Sequence, residues 1–244
     1  EKASEIYELI ERFANYGFNR SHAFGYGALA VQMAFFKAHY PDVFYEIMLR
    51  DSKRLALLND ARAVGFTLAP AYINRMPYYD KLSDSQIIVG MRAIKGLSRE
   101  LALWILEHRP FSSLQAFIQK LPDNFQKVAI IQPLISIGAF DEFEPNRRKL
   151  VENLAKLIDF SAVFQTDLFA TSASNLTFAY TEYEDYSPAE KYQMEFDLMG
   201  IAVTEHPLMA IAKQRKGNFT AISNLIANQK ATVLVELIHL KTHS

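Results

Sequence analysis

The sequence has 244 residues and no cysteine, which excludes disulfides and thiolate metal sites and makes a reducing cytoplasm the natural setting. No run of 18 apolar residues occurs, so no membrane-spanning helix and no membrane partner are expected. The first residues, EKASEIYELIERF, read as an amphipathic charged helix, with neither the basic start nor the apolar centre of a signal peptide. Several kinds of site chemistry are missing as well. No Asp-any-Asp pair falls on a β-like run to clamp two metal ions, no Gly-Lys-Ser phosphate loop is present, and the 6 histidines are scattered. These gaps argue against a catalytic or metal site carried by this stretch.

What is present is apolar enough for a core: half of the residues are hydrophobic, sufficient for one to three globular domains. The net charge of −1 says little, but its distribution says more. Lys plus Arg against Asp plus Glu balance at 10 and 10 over residues 1–85, then run 9 to 6 over 86–150, 2 to 10 over 151–212, and 5 to 1 over 213–244. Two basic blocks flanking an acidic one suit two nucleic-acid-facing surfaces, although a bias of this size also describes ordinary solvated faces.

The texture predicts a mainly α chain with short β segments. Helical patterns cover Ser4 to Asn15, a long stretch within 18–41, Asp42 to Arg50 and Ser52 to Val64. Phe66 to Leu68 and Ile87 to Met91 are β-like, with loop chemistry at Pro70, Asn74, Pro77, Ser83 and Asp84. The long stretch, FNRSHAFGYGALAVQMAFFKAHYP, joins a polar entry to a helix apolar on nearly every side, so burial is expected. Asn19 and Ser21 are good N-cap residues, and unpaired amides near Arg20, Ser21 and His22 would suit a phosphate. On the residues alone, a plain core helix with a polar cap is the preferred reading.

Ile94-Lys95-Gly96-Leu97-Ser98-Arg99 then leads into a helix from Glu100 to His108. A glycine hairpin before a helix exposes backbone amides to a DNA phosphate, with Arg92, Lys95 and Arg99 adding charge attraction. A second unit of this kind runs through Gly138 into Arg147 and Arg148. The alternative is a helical bundle in which Trp104, Phe111, Leu114, Phe117 and Ile118 are scaffold, and for those residues that reading is preferred. Further on, Gln165-Thr166-Asp167-Leu168-Phe169 places two large apolar groups in a polar segment, the chemistry of a peptide plug, with a loop anchor as the other reading. Glu182, Glu184 and Asp185 read as a solvated loop, Ser187-Pro188 opens a helix closed by Gly200, and His206 reads as a packing or hydrogen-bonding residue. Val233, Val235 and Leu237 alternate as in a strand.

These runs, together with GFTLAPAYINR, LISIGAFDEF and the later Leu-Met-Gly followed by His-Pro-Leu, resemble the bacterial C-family replicative polymerases, the alpha subunits of DNA polymerase III. The resemblance departs at Phe24, Gly25 and Gly27, and at Ser98, where the usual hairpin has a second glycine. It implies a DNA-directed DNA polymerase, a nucleotidyltransferase of DNA replication, of which this stretch lacks the catalytic aspartates and is inactive alone. The implied organisation is the C-terminal part of the fingers at 1–60 and a tandem helix-hairpin-helix duplex-binding region at 61–150. A clamp-binding segment and acidic linker follow at 151–185, a connecting helix at 186–212, and the start of an OB-fold at 213–244.

The implied nucleotide contacts are Arg20, Ser21, His22 and Tyr26. DNA contacts would come from Arg92, Lys95, Gly96, Ser98, Arg99, Gly138, Arg147 and Arg148, and sliding-clamp contacts from Gln165, Asp167, Leu168 and Phe169. Implied partners are primer-template DNA, the incoming dNTP, the sliding clamp (beta subunit) and other replisome subunits. No cofactor is implied for this stretch, and Mg2+ only for the intact polymerase. A non-enzymatic helix-hairpin-helix adaptor of DNA repair remains the alternative.

Overall fold

The computed structural model of the protein describes residues 2–16, 20–50, 53–165, 177–215, 219–220 and 222–235. Within them the fold is mainly helical with one small three-stranded sheet, as the texture predicts. The chain divides into two compact units, residues 1–66 with 82–85, and residues 67–81 with 86–244.

The first unit holds α1 (Lys2–Tyr16), α2 (Arg20–His39), α3 (Pro41–Met48) and α4 (Arg54–Ala63). Pro41 sits at the first turn of α3, where its missing N–H costs nothing. The junction of α2, α3 and α4 is polar: Lys37 Nζ lies 2.6 Å from Asp60 Oδ2, and the Tyr45 hydroxyl donates to the same oxygen at 2.8 Å. The Lys37 hydrogen bond, reinforced by that of Tyr45, holds the Asp60 carboxyl below the usual carboxylate range. Lys37 thus crosses to another helix instead of serving only the negative end of its own. Gly65, with φ +108°, ends the run after α4 where the sequence places a stop.

The expected burial of α2 is corrected by the structure. None of its residues is buried, and Phe24 and Val31 are 79% and 71% exposed. The physical reason is geometric: a helix apolar all round needs cover on several sides, and within this unit α2 packs on α3. Nor is Ser21 an N-cap, since α2 already starts at Arg20; Asn19 lies outside the described residues.

The second unit holds β1 (Thr67–Leu68) and β3 (Gln86–Ile88); β2 (Lys81–Ser83) starts in it and runs into residues 82–85 of the first, and the strand order is β1-β3-β2. β1 runs parallel to β3 with Thr67 opposite Gln86, while Asp84 and Ser85 both take positive φ in the tight turn before β3. Helices follow: α5 (Arg99–His108), α6 (Leu114–Lys120), α7 (Val128–Ser136), α8 (Arg147–Gln165), α9 (Pro188–Met199) and α10 (Pro207–Gln214). Phe111, Leu114, Phe117 and Ile118 are buried scaffold, as read from the sequence, and Trp104 is half-buried against the His108 ring. α8 packs on α6 and α7, and α9 packs on α7. Asn74 joins the loop after β1 to the approach of α6 by pairing its amide with both backbone groups of Phe111, at 2.8 and 2.9 Å.

Residues 177–185, within the stretch 151–185 expected as clamp-binding segment and acidic linker, are tied to α8 and α6. Asn153 pairs its amide with both backbone groups of Thr181, Lys149 reaches Glu182 at 2.7 Å, and Gln115 accepts from the Phe178 amide. Asp185, read as solvated, accepts from the amides of Arg148 and Tyr186 and pairs with Lys191. Burial opposes its charge, but Lys191 and the two amides outweigh that and lower its pKa. At the C-terminal end Val233 and Val235 form no strand among the described residues, although the Thr220 amide bonds the Thr232 carbonyl at 2.8 Å. Leu237 lies outside the described residues.

Candidate nucleic-acid interface

The first hairpin is built from a 3-10 turn, Met91–Ala93, and the N-terminus of α5. Met91 and Ile94 are buried and fix the turn, while Gly96 takes φ +85°, a left-handed conformation that favours glycine. Ser98 caps α5 by accepting from the Leu101 amide at 3.1 Å, so its hydroxyl serves the helix first. The backbone amides of Gly96, Ser98 and Arg99 have no protein acceptor among the described residues. Lys95 and Arg99 are exposed and make no ion pair there, and Arg92 lies over the Tyr79 ring at 5.3 Å. Unsatisfied amides at a helix N-terminus with three neighbouring cations form a surface that can hold a phosphate without reading a base.

The second hairpin, between α7 and α8, differs. Its amides are used internally: Gly138 donates to Ile135, Ala139 to Leu134 and Asp141 to Gly138. Residues 134–140 are buried. Gly138 has φ +83°, and a Cβ there would fall 2.3 Å from Arg147 Nη2 and 2.7 Å from Asp141 Oδ2. The guanidinium and the Asp141 carboxylate fill the space beside the Gly138 Cα.

Arg147 is therefore corrected from a DNA-facing residue to an internal one. It is 5% exposed, with Nε at 3.0 and 3.1 Å from the Asp141 carboxylate. Nη1 donates to the Ser136 carbonyl at 3.0 Å, and Nη2 lies 2.8 Å from both Asp141 Oδ2 and Glu195 Oε1. Burial opposes its charge, yet the hydrogen bonds and charges of Asp141, and then Glu195, outweigh it and raise the pKa. Glu195 is fully buried and also accepts from the amides of Val203 and Thr204 and from the Thr204 hydroxyl, each at 2.7 Å. A small cleft of about 210 Å³ beside this network is lined by Tyr72, Gly138, Asp141, Arg147, Glu195 and Thr204, among others. Arg148 is half-buried, with its guanidinium 5.3 Å from the Tyr186 ring.

Residues 65–150 match the helix-hairpin-helix motif family, spanning both hairpins. Over 97% of its length the chain is 44% identical to a DNA polymerase III subunit alpha of Streptococcus pyogenes serotype M18. The chain corresponds over nearly its whole length to a stretch of the DNA polymerase III alpha subunits. Similarity extends to the alpha subunits of Thermus aquaticus, at 33% identity over 86% of the chain, and Borreliella burgdorferi, at 32% over 85%. The chain spans 22%, 18% and 20% of those three proteins.

The residues for which the resemblance implies nucleotide contacts sit at one end of α2. Arg20, Ser21 and His22 occupy its first turn, and the His22 ring meets Tyr26 at 4.4 Å, edge to face. All four are exposed. Of the residues expected to bind a sliding clamp, Gln165 ends α8 in backbone only; its side chain, Asp167, Leu168 and Phe169 lie outside the described residues. Sequence reasoning missed Glu195 and Asp141. Their signal was faint, an acid in a helix of mixed charge and an acid three residues after a hairpin glycine. No helix among the described residues is long and apolar enough to cross a membrane. His206 caps α10 through Nδ1, accepting from the Leu208 amide at 3.2 Å.

Proposed function

We propose that this chain is a duplex-gripping and substrate-facing part of a replicative DNA-directed DNA polymerase, with the first hairpin as its principal phosphate grip. The observation that carries this reading is the open amide set at Gly96, Ser98 and Arg99 beside Arg92, Lys95 and Arg99, in a chain 44% identical to a DNA polymerase III alpha subunit. Amides and cations of this kind bind backbone phosphate and not sequence, so primer-template of any sequence is accepted. The positive end of α2, with Arg20, Ser21, His22 and Tyr26, faces the triphosphate of the incoming dNTP, and Gln165 to Phe169 docks the sliding clamp. Nucleotidyl transfer by the whole polymerase uses Mg2+ held by carboxylates outside this stretch, so the isolated chain should not extend a primer. Residues 1–60, 61–150, 151–185, 186–212 and 213–244 remain our division into fingers, hairpin region, clamp segment, connecting helix and OB-fold start.

Fluorescence anisotropy of a labelled duplex against salt tests the grip. Three phosphate contacts give a slope of log affinity on log salt of roughly −2.7. Binding that does not change with salt would remove the reading. For the clamp, comparing wild type with Leu168→Ala plus Phe169→Ala on an immobilised bacterial sliding clamp is decisive: equal affinity would remove the plug assignment.

A further inference from the structure

The first hairpin is not held only by its own turn. Its Lys95 amide donates to the carbonyl of Leu198 at 2.9 Å, a residue of the last turn of α9. One turn earlier on the same face of α9 stands Glu195, which pairs with Arg147 of the second hairpin unit and receives the Val203 and Thr204 amides. Gly200, at φ +74°, turns the chain so that those two amides can reach back to the carboxylate. A continuous set of contacts therefore runs from the buried guanidinium, through Glu195 and α9, to the amide at the tip of the exposed hairpin. Gly96 also faces α7, since a Cβ there would lie 3.9 Å from Pro133 Cγ.

We propose that the Arg147–Glu195 ion pair is a positioning element for the first hairpin. It fixes α9 where the Leu198 carbonyl holds the Lys95 amide, and so sets the angle at which Gly96, Ser98 and Arg99 meet a DNA phosphate. The second hairpin unit then acts as an internal dock, its ligand place filled by the protein's own charges, and only the first meets DNA directly. This inference rests on the duplex-gripping reading above. Neither Arg147 nor Glu195 touches the nucleic acid. A carboxylate suits this role better than an amide, because it receives two backbone amides and a hydroxyl and still neutralises a buried guanidinium.

The test compares wild type with Glu195→Gln, which keeps the shape and an acceptor oxygen but removes the charge. Residue-resolved hydrogen exchange reads the Lys95 amide directly. Its exchange should rise about tenfold in the variant, while the Ala102 and Arg109 amides of the α5 ladder stay within about twofold. Duplex affinity at low salt should fall about threefold although every surface cation is retained. Should Glu195→Gln lose its helical circular dichroism, Arg147→Lys serves instead, keeping the charge but not the fork that spans both carboxylates. Unchanged exchange at Lys95 in a folded variant overturns the proposal, and so does raised exchange with wild-type duplex affinity. A wild-type chain with no salt-dependent duplex binding removes the underlying reading, and this inference with it, before any variant is made.

Discussion

The two hairpins share a plan, a buried apolar flank, a glycine at positive φ and a following helix, yet they use it oppositely. At Gly96 the amides are open and the nearby cations face solvent. At Gly138 the amides are taken, the turn is buried, and Arg147 with Asp141 occupies the ligand side. A hairpin is thus a device for presenting amides, and what fills it is decided by whether a neighbouring element brings its own charges. α9 brings Glu195 to the second hairpin and only a backbone carbonyl to the first.

The largest expected effect is on the buried network. Arg147→Met should lower stability by about 3 to 5 kcal/mol, because it leaves Glu195 uncompensated in the interior; Arg99→Ala should stay within about 0.5 kcal/mol of wild type. Denaturant unfolding measures both, and similar losses would break the contrast. The glycines come next. Gly138→Ala combines positive φ with a Cβ only 2.3 Å from Arg147 Nη2 and should cost more than about 3 kcal/mol, whereas Gly96→Ala, whose Cβ meets Pro133 Cγ only at an ordinary 3.9 Å, should cost about 1 to 2 kcal/mol from backbone conformation. Thermal unfolding of the pair orders them, and equal shifts would show the two sites to be alike.

A sharper view of the first hairpin comes from Lys95→Ala combined with Arg99→Ala. Duplex affinity should drop and the salt slope should become shallower by about 2, with little change in melting temperature. Arg147→Met, read at a temperature where it stays folded, should leave a slope near the wild-type value. The smallest effect belongs to the dock's surroundings. Burial pushes the Tyr180 phenol up to about 12, so the folded state resists its ionisation while the unfolded chain ionises near the ordinary tyrosine value. The raised pKa gives a contribution complete below about pH 10 and lost as pH rises toward 12. Melting temperature across that window should fall less in Tyr180→Phe than in wild type.

Much of the fold was legible in the residues because its signals are local. Ser187 and Glu190 form a capping box, Ser98 and Ser113 cap their helices, Gly65 and Gly200 stop theirs, and each needs only neighbours within a few positions. The family resemblance was legible for the same reason, as runs of sequence. Less readable was burial. α2 carries every mark of a core helix and is exposed, since apolar character states a demand for cover and not which element meets it. Asp185 looked solvated and is an anchor, because Lys191 and the Arg148 amide come to it from other parts of the chain.

By itself, then, the sequence determined the helices, their ends, the two glycine turns and the basic character of residues 86–150. Tertiary structure alone decided that Arg147 turns inward while Lys95 and Arg99 stay outside. The physical reason is that a guanidinium enters the interior only where carboxylates are waiting, and Glu195 reaches it from a different helix.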